Sequence, residues 1–138
     1  MDDRMKKYMK ENFIDTSDSF FKPVEAKVWG ENIDICERPD VQISFIRVNS
    51  GGFCSIHQHK SKSNSFFITR GKVKLIVWWD GIDKSATSVV LNKNQWFYIQ
   101  AGVYHQFEAL EYSEVIEIYH SGGVLKKDIK RITQGGIR

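Results

Sequence analysis

Only two of the 138 residues are proline, Pro23 and Pro39, and only two are cysteine, Cys36 and Cys54. So few prolines fit a compact, strand-rich chain, because a central strand cannot spare the N–H that proline lacks. The cysteines make no C-x-x-C pair and are too few for a disulfide framework, so both read as small buried hydrophobes. Long apolar runs are missing as well. The longest, Leu75-Ile76-Val77-Trp78-Trp79, is far too short to span a bilayer. No positively charged start leads into an apolar stretch, so no secretory signal is expected and the expected compartment is cytoplasmic. Charge of one sign is also lacking. A net charge of +3 gives no concentrated basic face for nucleic acid, and the locally basic run from Lys126 to Arg131 reads as a solvated end.

What is present is apolar and aromatic. Hydrophobic residues make up 41% and aromatics 13%, enough for one domain with a real core. Residues 1–22 stand apart as an N-terminal helical arm, and residues 23–138 form the body. In the arm, Met5, Tyr8, Met9 and Asn12 or Phe13 recur at helical spacing, which predicts a short amphipathic helix through about residue 12, capped by Asp2 or Asp3. Asp15 to Ser19 reads as a loop, and Pro23 marks the way into the first strand.

Beyond it the period becomes two. Val41, Ile43 and Phe45 alternate with smaller or polar residues, as do Val73, Leu75, Val77 and Trp79. Val89 and Leu91, Trp96 to Ile99, and Val115 to Tyr119 supply further strands. Asn49-Ser50-Gly51-Gly52, Arg70-Gly71, Asp80-Gly81, Asn92-Lys93-Asn94 and Ala101-Gly102 are turn signals between them. Many short strands with no second helical pattern predict an all-β sandwich or barrel. There is no internal repeat.

The chemistry concentrates after Gly51-Gly52. His57 and His59 lie one residue apart on an extended segment, so both project to one face and can share one divalent cation. His105, after a second turn signal, is the candidate third ligand. Ser55 shares the face of His57 and His59, Val103 and Phe107 that of His105, and Phe66 and Ile68 that of Asn64. Three neutral imidazoles suit zinc, iron, nickel or copper, and manganese less well. Alternation sends Cys54 away from His57, and Glu108 away from His105, which makes Glu108 a poor general base. His120 has no partner in the pattern and is left out of the site.

These residues resemble the cupin superfamily. Gly51 or Gly52, His57, His59, position 64 and Gly71 match the pattern G-x5-HxH-x4-E-x6-G, and Gly102 and His105 match the close of its second motif. The chain is most similar to the cupin domain of type II mannose-6-phosphate isomerase / mannose-1-phosphate guanylyltransferase. Lys27-Val28-Trp29-Gly30, Ser55-Ile56-His57, Tyr98 to Glu108, Ile116-Glu117-Ile118, Ser121-Gly122, Leu125, Asp128-Ile129 and Arg131 carry that likeness, over roughly residues 27 to 138. It implies a cupin jelly-roll barrel, from about residue 23 to 120, and a metal-dependent aldose–ketose isomerase for a sugar phosphate. In such an enzyme Lys62 and Arg131 would meet the substrate's phosphate. Two positions depart from the family: Gln100 stands where it has proline, and Asn64 where it has its glutamate ligand. An amide oxygen is a weaker donor than a carboxylate, so Asn64 is expected to be a weak or absent ligand.

The expectation is therefore a divalent metal (zinc, manganese, iron or nickel) on His57, His59 and His105, and a small sugar or sugar phosphate as partner. A non-catalytic sugar- or metal-binding cupin and a three-His iron dioxygenase stand as alternatives. The Trp- and Phe-rich strands and the free arm lead to the expectation of a homodimer.

Overall fold

The structure, a computed structural model, describes residues 2–12, 21–120 and 128–138. Helix α1 (Asp3–Glu11) starts where Asp2 accepts a hydrogen bond from the Met5 N–H at 2.8 Å, the capping chemistry expected of an aspartate at that position. Met9 is its one buried side chain, and Arg38 Nη1 donates to the Asn12 carbonyl at 2.9 Å. Phe13 and the expected loop from Asp15 to Ser19 lie outside the described residues.

The body is two facing antiparallel sheets. The first runs β1 (Glu25–Lys27), β2 (Gly30–Glu37), β3 (Val41–Val48), β11 (Ser113–His120), β6 (Ser63–Arg70) and β9 (Trp96–Ile99), in that spatial order. The second runs β12 (Lys130–Arg131), β5 (His57–Gln58), β10 (Tyr104–Ala109), β4 (Gly52–Phe53) and β13 (Gly136–Ile137). Strand β7 (Lys72–Trp78) lies along β10, with β8 (Thr87–Asn92) beyond it. This is the expected all-β jelly roll with one short helix.

Alternation builds the core. Ile46, Val48, Phe66, Ile68 and Val115 from the first sheet meet Val73, Leu75, Val77, Phe107 and Ala109 from the second, all nearly inaccessible to water. Each fully buried large side chain contributes about 1.5–3 kcal/mol of transfer free energy. The turn between β6 and β7 requires Gly71. Its φ is +92°, and a Cβ there would lie 2.3 Å from Ser113 Oγ and 2.4 Å from the Tyr112 carbonyl.

The barrel, expected from about residue 23 to 120, extends further within the 23–138 body. Residues 128–138 return to the second sheet, where Arg131 pairs with His57 and Gly136 with Phe53. The end of the basic run is therefore built into the fold through backbone pairing, which its charged side chains do not signal.

Candidate metal centre and cavity

His57 and His105 are cross-strand partners on β5 and β10, and His59 follows one pleat after His57. Their ring centroids are 4.4 Å (His57–His105), 5.0 Å (His57–His59) and 5.5 Å (His59–His105) apart. One nitrogen from each lies within 4.8 Å of the others.

The other nitrogen of each ring is tied down. His57 Nδ1 meets the Ser55 carbonyl at 2.8 Å, His105 Nδ1 the Val103 carbonyl at 2.9 Å, and His59 Nδ1 the Asp128 carbonyl at 2.6 Å. A carbonyl can only accept, so each Nδ1 carries the proton and each Nε2 presents a lone pair. Nε2 of His59 and of His105 is buried with no hydrogen-bond partner. Burial, reinforced by neighbouring imidazoles, holds His57 well below the ordinary histidine range. His59 and His105 come down to about 4, chiefly through burial. Three neutral imidazoles with free lone pairs form a site for a divalent cation, their Nδ1 partners orienting the rings as such sites require.

Asp128 does more than hold His59. Its carboxylate accepts from the N–H groups of Lys60 and Ser61 at 2.9 and 2.7 Å, which pins the segment just after His59. This partner is 69 residues away in sequence, and no local pattern announces it.

His57 and His59 open onto a cavity of about 630 Å³. Trp29, Phe66 and Phe107 give it apolar walls, with Trp29 edge-on to Phe107 at 5.2 Å. The inner face of the first sheet supplies Asn32, Asp34, Gln42, Ser44, Glu117 and Tyr119. Asp34 Oδ1 accepts from Ser44 Oγ (2.7 Å), Asn32 Nδ2 (3.0 Å) and Gln42 Nε2 (3.3 Å). Burial works to raise its carboxyl, but these bonds prevail and hold it below the usual range. Glu117 is only 6% exposed. Burial pushes its carboxyl up against the opposing pull of Tyr119, Asn64 and Lys62. Tyr119 Oη donates to Glu117 Oε2 at 2.5 Å, and burial beside that carboxylate lifts the phenol well above its ordinary value.

Both expected substrate-binding cations line this cavity. Lys62 is 4% exposed, with Nζ 4.3 Å from the Tyr119 ring centroid. Burial lowers its ammonium, and Asp128, Glu117 and Asp34 oppose that. Arg131 stands at the cavity from β12. Asn64 is fully buried, and its amide lies against Glu117 without closing a well-formed hydrogen bond on either polar atom. Glu108 faces away, in an ion pair with Arg138 at 3.0 Å, and His120 is exposed at a strand end. Cys54 departs from expectation. The chain leaves β-structure between Phe53 and His57, so alternation breaks and Cys54 turns inward to line the cavity, accepting the Phe107 N–H on its sulfur.

Sequence reasoning missed Glu117 as a cavity group. The available signal was its phase on β11, in step with Val115 and out of step with the outward-facing Ile116 and Ile118.

No protein-family model and no curated protein sequence matches this chain. Among solved structures, oxalate decarboxylase from Bacillus subtilis matches with a TM-score of 0.70 and 14% identity, over 80% of this chain and 30% of that one. That protein has also been studied for its Mn(II) centres. CapF, solved with the inhibitor 3-isopropenyl-tropolone, matches at 0.69 and 18% identity, over 83% and 34%. The formate complex of Lactobacillus farciminis oxalate decarboxylase matches at 0.69 and 13%, over 80% and 34%. The chain thus spans about a third of the length of these structures.

Proposed function

We infer that the jelly-roll fold this chain shares with these structures is that of the cupins. We propose that the chain is a metal-dependent cupin that isomerises a small sugar phosphate, in the manner of a mannose-6-phosphate isomerase. The observation that carries this reading is the convergence of three imidazoles, two of which line a cavity that also holds hydroxyl-recognising and protonatable groups. His57, His59 and His105 hold the metal. Asn64 would be a weak donor or none, since an amide oxygen gives less to a cation than a carboxylate does. A divalent ion there supplies polarisation of the substrate carbonyl, which makes the neighbouring C–H acidic. Asn32, Asp34, Gln42 and Ser44 suit a polyol chain, and Lys62 with Arg131 suits a phosphate.

The test is conversion of mannose 6-phosphate to fructose 6-phosphate, followed by NMR with zinc, manganese, ferrous iron and nickel in turn. Conversion with at least one metal is expected. Binding of metal and sugar phosphate without conversion would leave a non-catalytic binding protein, the reading that the neutral Asn64 favours. Oxygen consumption with ferrous iron would instead single out a dioxygenase.

We also propose a homodimer formed through the outer face of the first sheet. Ile33, Phe45, Ile116, Phe67 and Trp96 stand opposite one another across five strands, and Trp96 is 63% exposed. The charges beside this row cancel, as Glu31–Arg47 and Glu114–Arg70 pairs, so a second copy meets no net repulsion. Sedimentation should give a dimer for the native chain and a monomer for Trp96→Glu. A native monomer at all concentrations would refute the pairing. No helix among the described residues is long and apolar enough to cross a membrane. The two unpaired cysteines, Cys36 and Cys54, support a reducing, cytoplasmic setting, and residues 1–22 are proposed as an arm on the 23–138 body.

A further inference from the structure

We propose that Glu117 is the catalytic base that moves the substrate proton between adjacent carbons, with Tyr119 as its positioning residue. The proposal rests on the metal-dependent isomerase reading and adds to it the proton-transfer group.

Position comes first. Glu117 lies on the inner face of β11, between Ser44 of β3 and Phe66 of β6 in register, and lines the same cavity as His57 and His59. Tyr119, two residues on, joins the two walls. Its ring centroid lies 5.1 Å from that of His59, and its hydroxyl donates to Glu117 Oε2. One carboxylate oxygen is thereby fixed on the cavity wall, and the proton transfer is assigned to the other, Oε1.

The second cavity carboxylate is a poor base by comparison. Asp34 Oδ1 accepts three hydrogen bonds from its own sheet, and each stabilises the ionised form and weakens its pull on a carbon-bound proton. Asp34 is an anchor, whereas the one well-formed hydrogen bond on Glu117 comes from Tyr119.

The step balances without a co-reactant. Glu117 Oε1 takes the C2 hydrogen of an aldose as a proton. The C2–H electron pair becomes the C1–C2 double bond, and the carbonyl π pair moves to O1. The O2 hydroxyl proton passes to O1. The electrons of O2 then form the new C2 carbonyl, while C1 takes the proton back from Glu117. The product is the ketose, and the carboxylate is regenerated.

The experiment compares native protein, Glu117→Gln and Tyr119→Phe, each loaded with the metal that supports activity. Three readouts are taken: metal stoichiometry, the shift in Tm caused by glucitol 6-phosphate (an unreactive polyol phosphate), and deuterium incorporation from D2O into mannose 6-phosphate and fructose 6-phosphate. Glu117→Gln should keep the first two and lose exchange by about 100-fold or more, the range for removal of a general base. Tyr119→Phe should lower kcat with little change in KM and move the pH profile. If Glu117→Gln exchanges within about threefold of the native rate, another group is the base and the proposal falls while the isomerase reading stands. If it loses metal and polyol phosphate binding along with exchange, its role is structural and the proposal also falls. Should the amide variant not fold, Glu117→Asp takes its place: it should bind metal normally and exchange about tenfold or more slower, since a carboxyl drawn back by one methylene no longer reaches the carbon. An unchanged rate there overturns the assignment. If the native protein shows neither exchange nor polyol phosphate binding with any metal, the isomerase reading itself fails and takes this one with it.

Discussion

His57 and His105 repeat one local device on facing strands: each turns Nδ1 back onto the carbonyl two residues before it, at 2.8 and 2.9 Å. Because β5 and β10 pair these residues directly, the two Nε2 lone pairs are aimed before any ligand arrives. The device rests on main-chain acceptors, with Ser55 Oγ also 3.2 Å from His57 Nδ1. His59 differs, since its acceptor is the Asp128 carbonyl far along the chain.

Metal should stabilise the fold through these rings. At a free metal concentration near 100 times Kd the gain is about 2.7 kcal/mol, visible as an upward shift in Tm. His59→Ala should abolish that shift for zinc, manganese and nickel alike. A shift that persists in His59→Ala would place the metal elsewhere.

Asn64→Glu should act oppositely on the two forms. The new carboxyl would sit beside buried Glu117, and two carboxylates there repel one another, so the metal-free Tm should fall. With metal bound, the added negative charge favours the dication, so the metal-induced shift should exceed that of the native protein. Melts of both proteins with and without zinc decide this. An equal shift in each would exclude Asn64 from the metal's surroundings.

Acid should destabilise the metal-free protein as pH falls from about 6.5 to about 4. The sign follows from the histidines: His59 and His105 lie near 4 when folded and near 6.5 when unfolded, so the unfolded chain binds more protons in that window. Each contributes a loss of a few kcal/mol at most, and none above pH 6.5. Glu117, raised by burial, works the other way, because its folded form gains protons first. Urea midpoints between pH 7 and 4 measure the net slope, which should be steeper in Glu117→Gln. A flat profile would mean that the imidazoles are not buried neutral.

Asp128→Ala should weaken zinc binding by about tenfold or more, the usual cost of removing support behind a metal ligand. The lost carboxylate frees the Lys60 and Ser61 N–H groups and loosens the carbonyl that orients His59. Calorimetric titration with zinc gives the affinity, and Asp128→Asn, which keeps an acceptor oxygen, should recover much of it. Unchanged affinity in Asp128→Ala would show that the backbone alone holds His59.

Period-two alternation by itself determined much of this protein. It placed His57 with His59, set Glu108 apart from His105, and marked the strands that carry Leu75, Phe66 and Val115, because side-chain direction on a strand follows from residue parity. The capping of α1 by Asp2 was equally local. Only the tertiary structure decided what faces what. Parity along β11 put Glu117 in phase with Val115, but only the packing of two sheets set it across a cavity from the histidines. Cys54 turned inward because the chain leaves the strand between Phe53 and His57, where parity no longer holds. Asp128 reached His59 because residues 128–138 pair with the second sheet. Contacts between residues so far apart depend on chain closure and backbone pairing, and neither leaves a periodic trace in composition or spacing.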